Sequence, residues 1–195
     1  MTPLVLVHGL LDTPRVFHPL EAALAGRRRQ LLSPSLPLQL GRIPVVESAV
    51  RLRHVIETTY GKTEPVDILG FSIGGVIIRT WLQLLGGHVR CRRFFSVGSP
   101  QQGTFMAQPW PSRWFRGLAD LRPNSPLLNR LNNDLDRLQH LEICSFYSAV
   151  DLVVLPGWNA VVPVGKRVLL PVLTHPELVR NPMAIRRLTQ ELLRP

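Results

Sequence analysis

The chain has 195 residues, of which 45% are hydrophobic, and this length and composition fit a single globular domain. Its formal net charge is +10, because 21 arginines and two lysines stand against 13 acidic residues. The arginines are scattered from Arg15 to Arg194 and no nucleic-acid-binding motif accompanies them, so we expect a solvated basic surface and no nucleic-acid partner. A weak attraction to acidic lipid headgroups stays open.

The N-terminal segment and the hydropathy pattern favour a cytoplasmic protein. The chain leads directly into an apolar run without a basic leader, and no apolar run approaches the roughly 20 residues that span a bilayer. We expect a cytoplasmic monomer whose contact with a membrane is at most peripheral. Cys91 and Cys144 lack metal-site spacing and lie in apolar segments, which predicts buried free thiols rather than a disulfide.

Strand and helix patterns alternate along the chain. The apolar run 4–7 is typical of a strand buried on both faces, and a helix begins near Pro14 and ends at Gly26. Residues 31–44 contain three prolines and predict a short strand followed by an irregular loop. Further strands are predicted at 65–69, 93–97, 141–147 and 167–172, and further helices at 45–59, 73–85 and 185–193.

This alternation predicts one α/β domain over residues 1–195, with a mostly parallel sheet of about six strands flanked by helices. The helical period of 45–59 places mainly Val46, Ala49, Val50, Val55 and Ile56 on the inward face of that helix.

A serine flanked by glycines stands where a predicted strand turns into a predicted helix. The segment Gly70-Phe71-Ser72-Ile73-Gly74 follows the strand and precedes the helix, which indicates the nucleophile elbow of a serine hydrolase. So tight a turn requires glycine two residues before and two residues after the serine. It also strains the serine backbone and exposes the hydroxyl of Ser72.

A serine hydroxyl becomes a nucleophile when a histidine removes its proton and a carboxylate orients that histidine. His175 lies just past the last predicted strand, and Asp151 follows strand 141–147, so the chain order is serine, acid, histidine. A surface histidine and a turn-stabilising aspartate are the structural alternatives for these two residues. The remaining histidines lie in the first loop, inside helices or away from strand ends: His8, His18, His54, His88 and His140.

Two backbone N–H groups are expected to stabilise the negative charge that forms on the substrate oxygen. Ile73 follows the nucleophile at a helix N-terminus, and Leu10 lies in the loop after the first strand. We expect His8 to orient this loop by hydrogen bonds, and we expect His8, Gly9 and Leu11 to line the substrate site.

Together these segments resemble the lipase and esterase branch of the α/β-hydrolase family, in particular small bacterial lipases of the triacylglycerol lipase type. Besides the elbow, the resemblance rests on VHGL at 7–10, GSPQQGT at 98–104, NSPLLNRLN at 124–132 and SAVDLVVLP at 148–156. A second glycine that the family has after His8-Gly9 is absent here. The resemblance implies ester hydrolysis through an acyl-enzyme, without a cofactor or metal.

The segment 101–138 is longer than a link between two strands requires. It contains the apolar residues Phe105, Met106, Trp110 and Trp114, with arginines among them. We interpret it as a lid or acyl-binding flap that meets a lipid surface and contributes these four residues to substrate binding. The alternative is a helix whose aromatic face completes the core.

The sequence therefore favours a serine carboxylic ester hydrolase that acts on acyl esters, above all lipids, through Ser72, Asp151 and His175. Two other functions stay open. One is an acyltransferase or thioesterase that uses the same three residues, and the other is a non-catalytic lipid-binding protein on the same scaffold.

Overall fold

A sheet of six parallel strands forms the centre of the computed structural model, which describes residues 2–28 and 30–194. The strand order is β2-β1-β3-β4-β5-β6. The predicted α/β architecture with a parallel sheet is thus confirmed. The strands are β1 Leu4–Val7, β2 Leu31–Leu32, β3 Val66–Phe71, β4 Cys91–Val97, β5 Glu142–Tyr147 and β6 Lys166–Leu169.

Helices cover both faces of the sheet. They are α1 His18–Leu24, α2 Val45–Tyr60, α3 Ile73–Leu84, α4 Arg116–Ala119, α5 Pro126–Asn132, α6 Glu177–Arg180 and α7 Pro182–Leu192. In β1, Val5 and Val7 join the core beneath α2 and α3, while Leu4 and Leu6 join the core beneath α1 and α7. Side chains alternate between the faces of a strand, so a strand buried on both faces is apolar throughout.

Two sequence-based expectations about elements are wrong in detail. The last strand ends at Leu169 rather than at residue 172, because the N–H of Val172 donates to the carbonyl oxygen of Leu170 and not to β5. In α2, Val46 and Val50 are exposed, whereas Ser48 and Leu52 are buried. The buried face of α2 is therefore rotated relative to the one that the apolar residues alone indicate.

The order of the strands fixes where a ligand site can form. α1 and α2, the helices that follow β1 and β2, pack on opposite faces of the sheet. The strand order thus reverses at β1, and in open parallel sheets ligands bind beyond the carboxyl ends of the strands at such a point, here the ends of β1 and β3. Val7 pairs with Gly70 there, so the loop that begins at His8 lies beside Ser72.

A buried ion cluster closes the opposite edge of the sheet. Asp67, near the start of β3, accepts hydrogen bonds from Arg28 at 2.8 Å and from Arg93 at 2.6 Å. Both guanidinium groups also donate to the carbonyl oxygen of Leu192 at the end of α7. The cluster thus ties the final helix to the sheet.

Cys91 and Cys144 are buried free thiols, as predicted. Burial raises the pKa of both, that of Cys144 to about 12. Among the described residues, every helix is too short or too polar to cross a membrane.

Candidate active site

Ser72 stands at the junction of β3 and α3 with a φ of 55°. A Cβ atom at Gly70 would lie 2.4 Å from the amide nitrogen of Gly75, and one at Gly74 would lie 2.3 Å from the carbonyl oxygen of Val7. Real Cβ atoms essentially never come so close to backbone, so both positions need glycine. The side chain of Ser72 is half-buried at this turn.

Sequence reasoning missed a third required glycine. A Cβ atom at Gly75 would lie 2.1 Å from Oγ of Ser99, a fully buried residue in the segment after β4. The Ser99 hydroxyl lies 3.3 Å from the carbonyl oxygen of Gly70 and the same distance from that of Val97. The loop after β4 therefore packs against the elbow at Gly75. The GSPQQGT segment, which contains Ser99, is the sequence signal that could have revealed the need for glycine at this position.

His175 and Asp151 form a buried pair. Asp151 Oδ2 lies 2.7 Å from His175 Nδ1. The backbone N–H groups of Val153 and Val154 donate to the other oxygen of Asp151, at 2.8 and 3.3 Å. A carboxylate only accepts hydrogen bonds, so His175 Nδ1 carries the proton and Nε2 keeps its lone pair.

The imidazole of His175 is fixed in orientation by its neighbours. Phe71 stacks on it with ring centroids 4.8 Å apart. A Cβ atom at Gly98 would come within 3.2 Å of Cε1 of His175, which leaves little room for a larger residue there. The Nε2 atom is buried and has no hydrogen-bond partner among the described residues. That nitrogen is free to accept a proton.

Two hydrogen-bonding side chains, Glu177 and Ser148, hold the loop that carries His175, and the sequence analysis assigned a role to neither of them. Oε2 of Glu177 accepts from the backbone N–H groups of Leu173 at 2.9 Å and Thr174 at 2.8 Å. The hydroxyl of Ser148 donates to the carbonyl oxygen of Val172 at 2.6 Å. The backbone hydrogen bonds from Thr174 and Leu173 lower the pKa of Glu177.

The loop after β1 passes directly over Ser72. A Cβ atom at Gly9 would lie 3.1 Å from Cβ of Ser72. Nε2 of His8 accepts from the N–H of Leu36 at 3.0 Å, so Nδ1 carries the proton and donates to the carbonyl oxygen of Gly9 at 2.8 Å. His8 is buried and both of its ring nitrogens are occupied. These hydrogen bonds hold the loop, and the place of His8 in the lining of the substrate site stays a prediction.

The two candidate oxyanion donors lie next to the contact between Gly9 and Ser72. Ile73 is the first residue of α3, and Leu10 follows Gly9. Within residues 2–28 and 30–194, neither N–H group donates to a backbone or side-chain acceptor. Both donors are thus available to a ligand. Leu11, the next residue, exposes 79% of its side chain.

The structure does not place the aromatic residues of segment 101–138 in the core. Phe105, Met106, Trp110 and Trp114 are between 46% and 58% exposed, which contradicts the alternative in which they complete the core. Phe105 lies next to the loop of Asp151, because its N–H donates to the carbonyl oxygen of Leu155 at 3.0 Å. Trp110 and Trp114 lie further along, beside Phe115 and Arg113.

Comparison with solved structures agrees with the fold described above. The chain resembles the mature lipase BlEst2 of Bacillus licheniformis, with a TM-score of 0.76 and 14% identity over 100% of this chain and 92% of that one. It also resembles the α/β hydrolase MGS-MChE2 from a metagenome of lagoon sediments of Mar Chica, Morocco, with a TM-score of 0.72 and 19% identity over 98% and 90%. A third similar structure is naproxen esterase of Bacillus subtilis, with a TM-score of 0.67 and 12% identity over 99% and 84%.

At these identities the similar structures show a shared fold. Comparison with curated protein sequences gave no match. The model of the α/β hydrolase family matches residues 4–194, which is nearly the whole described chain. The chain therefore belongs to the α/β hydrolase family.

Proposed function

We propose that this protein is a serine carboxylic ester hydrolase that cleaves acyl esters, with lipids as its substrate class. The observation that carries the proposal is the 2.7 Å pair of His175 and Asp151, whose free Nε2 lies at the same edge of the sheet as the strained Ser72. Family membership supports hydrolase chemistry, and lipases and esterases stand among the similar structures.

The first half of the reaction forms an acyl-enzyme. Nε2 of His175 takes the proton of Ser72 Oγ as that oxygen attacks the carbonyl carbon of the ester. The N–H groups of Ile73 and Leu10 stabilise the oxyanion, and each such donor contributes about 3 to 4 kcal/mol to the transition state. The imidazolium then returns its proton to the leaving alcohol as the ester C–O bond breaks.

The second half releases the acid. Water gives a proton to Nε2 of His175 while its oxygen attacks the acyl carbon, and the same N–H groups stabilise the second oxyanion. The intermediate collapses, Ser72 Oγ recovers its proton from His175, and the carboxylic acid leaves. Asp151 stays ionised throughout and stabilises the positive charge on the imidazolium.

Exposed apolar side chains near the reacting groups support an acyl substrate. Leu11, Leu152 and Leu173 are more than 70% exposed, and they neighbour the oxyanion loop, Asp151 and His175 respectively. A contiguous apolar patch on a protein surface marks a site that binds an apolar ligand, and we infer that these three residues contribute to such a patch. An acyl chain fits that requirement.

Hydrolysis of p-nitrophenyl esters of increasing chain length tests the proposal. We expect Ser72→Ala and His175→Gln each to lower kcat by about 10⁴-fold or more. Ser112→Ala and His54→Gln, which change the same residue types at exposed positions, serve as matched controls and should leave kcat unchanged. Release of equal amounts of acid and alcohol would show that water is the acyl acceptor. Full activity of Ser72→Ala would contradict the proposal.

A further inference from the structure

An exposed group of arginines and aromatic rings lies outside the catalytic residues. We call it the arginine-aromatic surface; its members are Arg42, Arg113, Arg116, Trp110, Trp114 and Phe115. The guanidinium carbon of Arg113 is 5.0 Å from the ring centroid of Trp114, and that of Arg42 is 6.0 Å from the centroid of Phe115. Trp110 and Phe115 pack edge to face at 5.0 Å, so the surface is continuous.

The positive charges of this surface have no internal counter-charge. Among the described residues, the guanidinium groups of Arg42, Arg113 and Arg116 make no ion pair and no hydrogen bond, and all three side chains are exposed. Arg42, Arg113 and Trp114 line two adjoining surface cavities of about 450 and 480 Å³. The carboxylate of Glu47 lines the second cavity but is already paired with Arg51 at 2.6 Å.

The surface lies at the same edge of the sheet as the candidate active site. Its residues belong to the loop after β2 and to the segment after β4, and both leave the carboxyl ends of parallel strands. The two segments pack tightly, since a Cβ atom at Gly117 would lie 2.2 Å from the carbonyl oxygen of Ile43. Phe105 and Met106 are exposed in the same segment, and the N–H of Phe105 donates to the carbonyl oxygen of Leu155 in the loop of Asp151.

We propose that the arginine-aromatic surface docks the protein on an anionic lipid surface. The three guanidinium groups would contact the anionic headgroups, and the half-exposed indole rings would lie among them, where an amphipathic ring finds both apolar and polar surroundings. The exposed side chain of Met106 in the same segment favours lipid over nucleic acid, because a phosphate backbone gains nothing from an exposed aliphatic group. Docking through this surface does not depend on hydrolysis at Ser72.

Vesicle co-sedimentation tests the proposal with the full chain carrying Ser72→Ala, so that vesicles are not hydrolysed. We expect binding to phosphatidylcholine vesicles that contain phosphatidylserine, and much weaker binding to phosphatidylcholine alone. The triple variant Arg42→Gln, Arg113→Gln, Arg116→Gln should bind on the order of 100-fold more weakly, since each basic residue near an anionic membrane contributes about fivefold. Binding should also fall as salt rises.

A matched control distinguishes the contribution of the arginine-aromatic surface to vesicle binding from that of the overall positive charge of the protein. Arg130→Gln, Arg167→Gln and Arg186→Gln remove the same number of charges at exposed positions elsewhere and should weaken binding only slightly. Equal loss in the two triple variants would overturn the proposal. So would equal binding to vesicles with and without phosphatidylserine, or tight binding of single-stranded RNA that depends on Arg42 while vesicles do not bind. Hydrolysis of a soluble short-chain ester by the first triple variant, with Ser72 restored, reports on the active site separately.

Discussion

Ser72 holds a backbone conformation that costs a non-glycine residue about 1 to 3 kcal/mol, and its neighbours impose that conformation. Gly70 and Gly74 let β3, α3 and the end of β1 come together with no space for a side chain. The strained serine is thus held by close backbone contacts on both sides. Its hydroxyl is presented at the turn and not drawn into the regular hydrogen bonding of strand or helix.

Replacing Gly74 with alanine should disrupt the elbow. The new Cβ atom would lie 2.3 Å from the carbonyl oxygen of Val7, and backbone must move to relieve that clash. We expect Gly74→Ala to lower the free energy of unfolding by about 1 to 3 kcal/mol in denaturant titration, and to lower esterase kcat. Gly61→Ala is the control, because Gly61 has a φ of +70° but open space around it. It should cost about 1 to 3 kcal/mol, because a φ of 70° with a ψ of −173° is strained for alanine, and it should leave kcat unchanged.

Glu177→Gln tests whether the hydrogen bonds to Leu173 and Thr174 position His175. A neutral amide accepts these hydrogen bonds more weakly, so we expect kcat to fall by about tenfold while KM stays constant. Glu64→Gln, which neutralises an exposed carboxylate away from the site, should leave both constants unchanged. A change in KM alone would contradict a positioning role.

The same residue gives a pH dependence with a defined sign. The pKa of Glu177 is lowered in the folded chain, so its contribution to stability is present above the ordinary glutamate pKa and is lost as the pH falls through the lowered value. The free energy of unfolding of wild type should therefore exceed that of Glu177→Gln at neutral pH. The two values should converge in acid, and a difference that grows in acid would contradict this account.

At the scale of elements, the ion cluster around Asp67 connects the final helix to the sheet. Arg28 and Arg93 are brought in from α1's following loop and from β4, and both bind Asp67 and the last turn of α7. Cations at the C-terminus of a helix also interact favourably with its dipole. The cluster thus contributes to stability at the edge of the sheet opposite Ser72.

Asp67→Asn should destabilise the protein without changing the chemistry. It leaves two buried guanidinium groups without their carboxylate, which typically costs 3 to 5 kcal/mol, so we expect a loss of about that size in denaturant titration. The control is Glu47→Gln, which breaks an exposed pair with Arg51 and should cost about 0.5 kcal/mol. Below the melting temperature, kcat of Asp67→Asn should match wild type, and a large loss of kcat would contradict the separation of the two edges.

The elements that sequence predicts best are those buried on both faces. β1 and the start of α3 fall at the expected residues, because a continuous apolar run and the glycine-flanked serine mark them directly. The prediction of the buried face of α2 was wrong. Ser48 and Leu52 are buried by tertiary packing, which the pattern of apolar residues does not reveal. The short helices α4 and α5 were not predicted, although α5 carries the helix signals of an N-cap at Ser125, Pro126 at its first position and leucines at helical spacing.

The residues of the candidate active site also differ in how well the sequence predicts them. The order of Ser72, Asp151 and His175 along the chain follows from strand ends, and the structure brings the last two into contact. Ser148 and Gly98 lie inside the SAVDLVVLP and GSPQQGT segments, and Glu177 lies in no quoted segment. The contacts of all three could not be predicted, because only the folded chain brings them near the loop and the ring of His175. The ring of His8 is buried, and its Nε2 accepts a hydrogen bond from the N–H of Leu36 in the loop after β2, a contact that the sequence does not reveal.

In the whole molecule, the candidate active site and the buried ion cluster lie at opposite edges of one sheet. The loops after β1, β3, β5 and β6 converge on the candidate active site, and the arginine-aromatic surface extends from the same edge. The buried ion cluster lies at the other edge. The net charge of +10 includes Arg42, Arg113 and Arg116, which make no ion pair within the described residues. We expect these three charges to orient this edge of the sheet toward an anionic lipid surface.

The central claim is that Ser72 is a nucleophile activated by His175, and labelling with a fluorophosphonate ester tests it most directly. Mass spectrometry of the folded protein should find one phosphonyl group, located on the peptide that contains Ser72. Because His175 removes the hydroxyl proton, His175→Gln should slow labelling by about 10³-fold or more while the protein stays folded. Absence of labelling in folded wild type, or equal labelling rates in wild type and His175→Gln, would contradict the account.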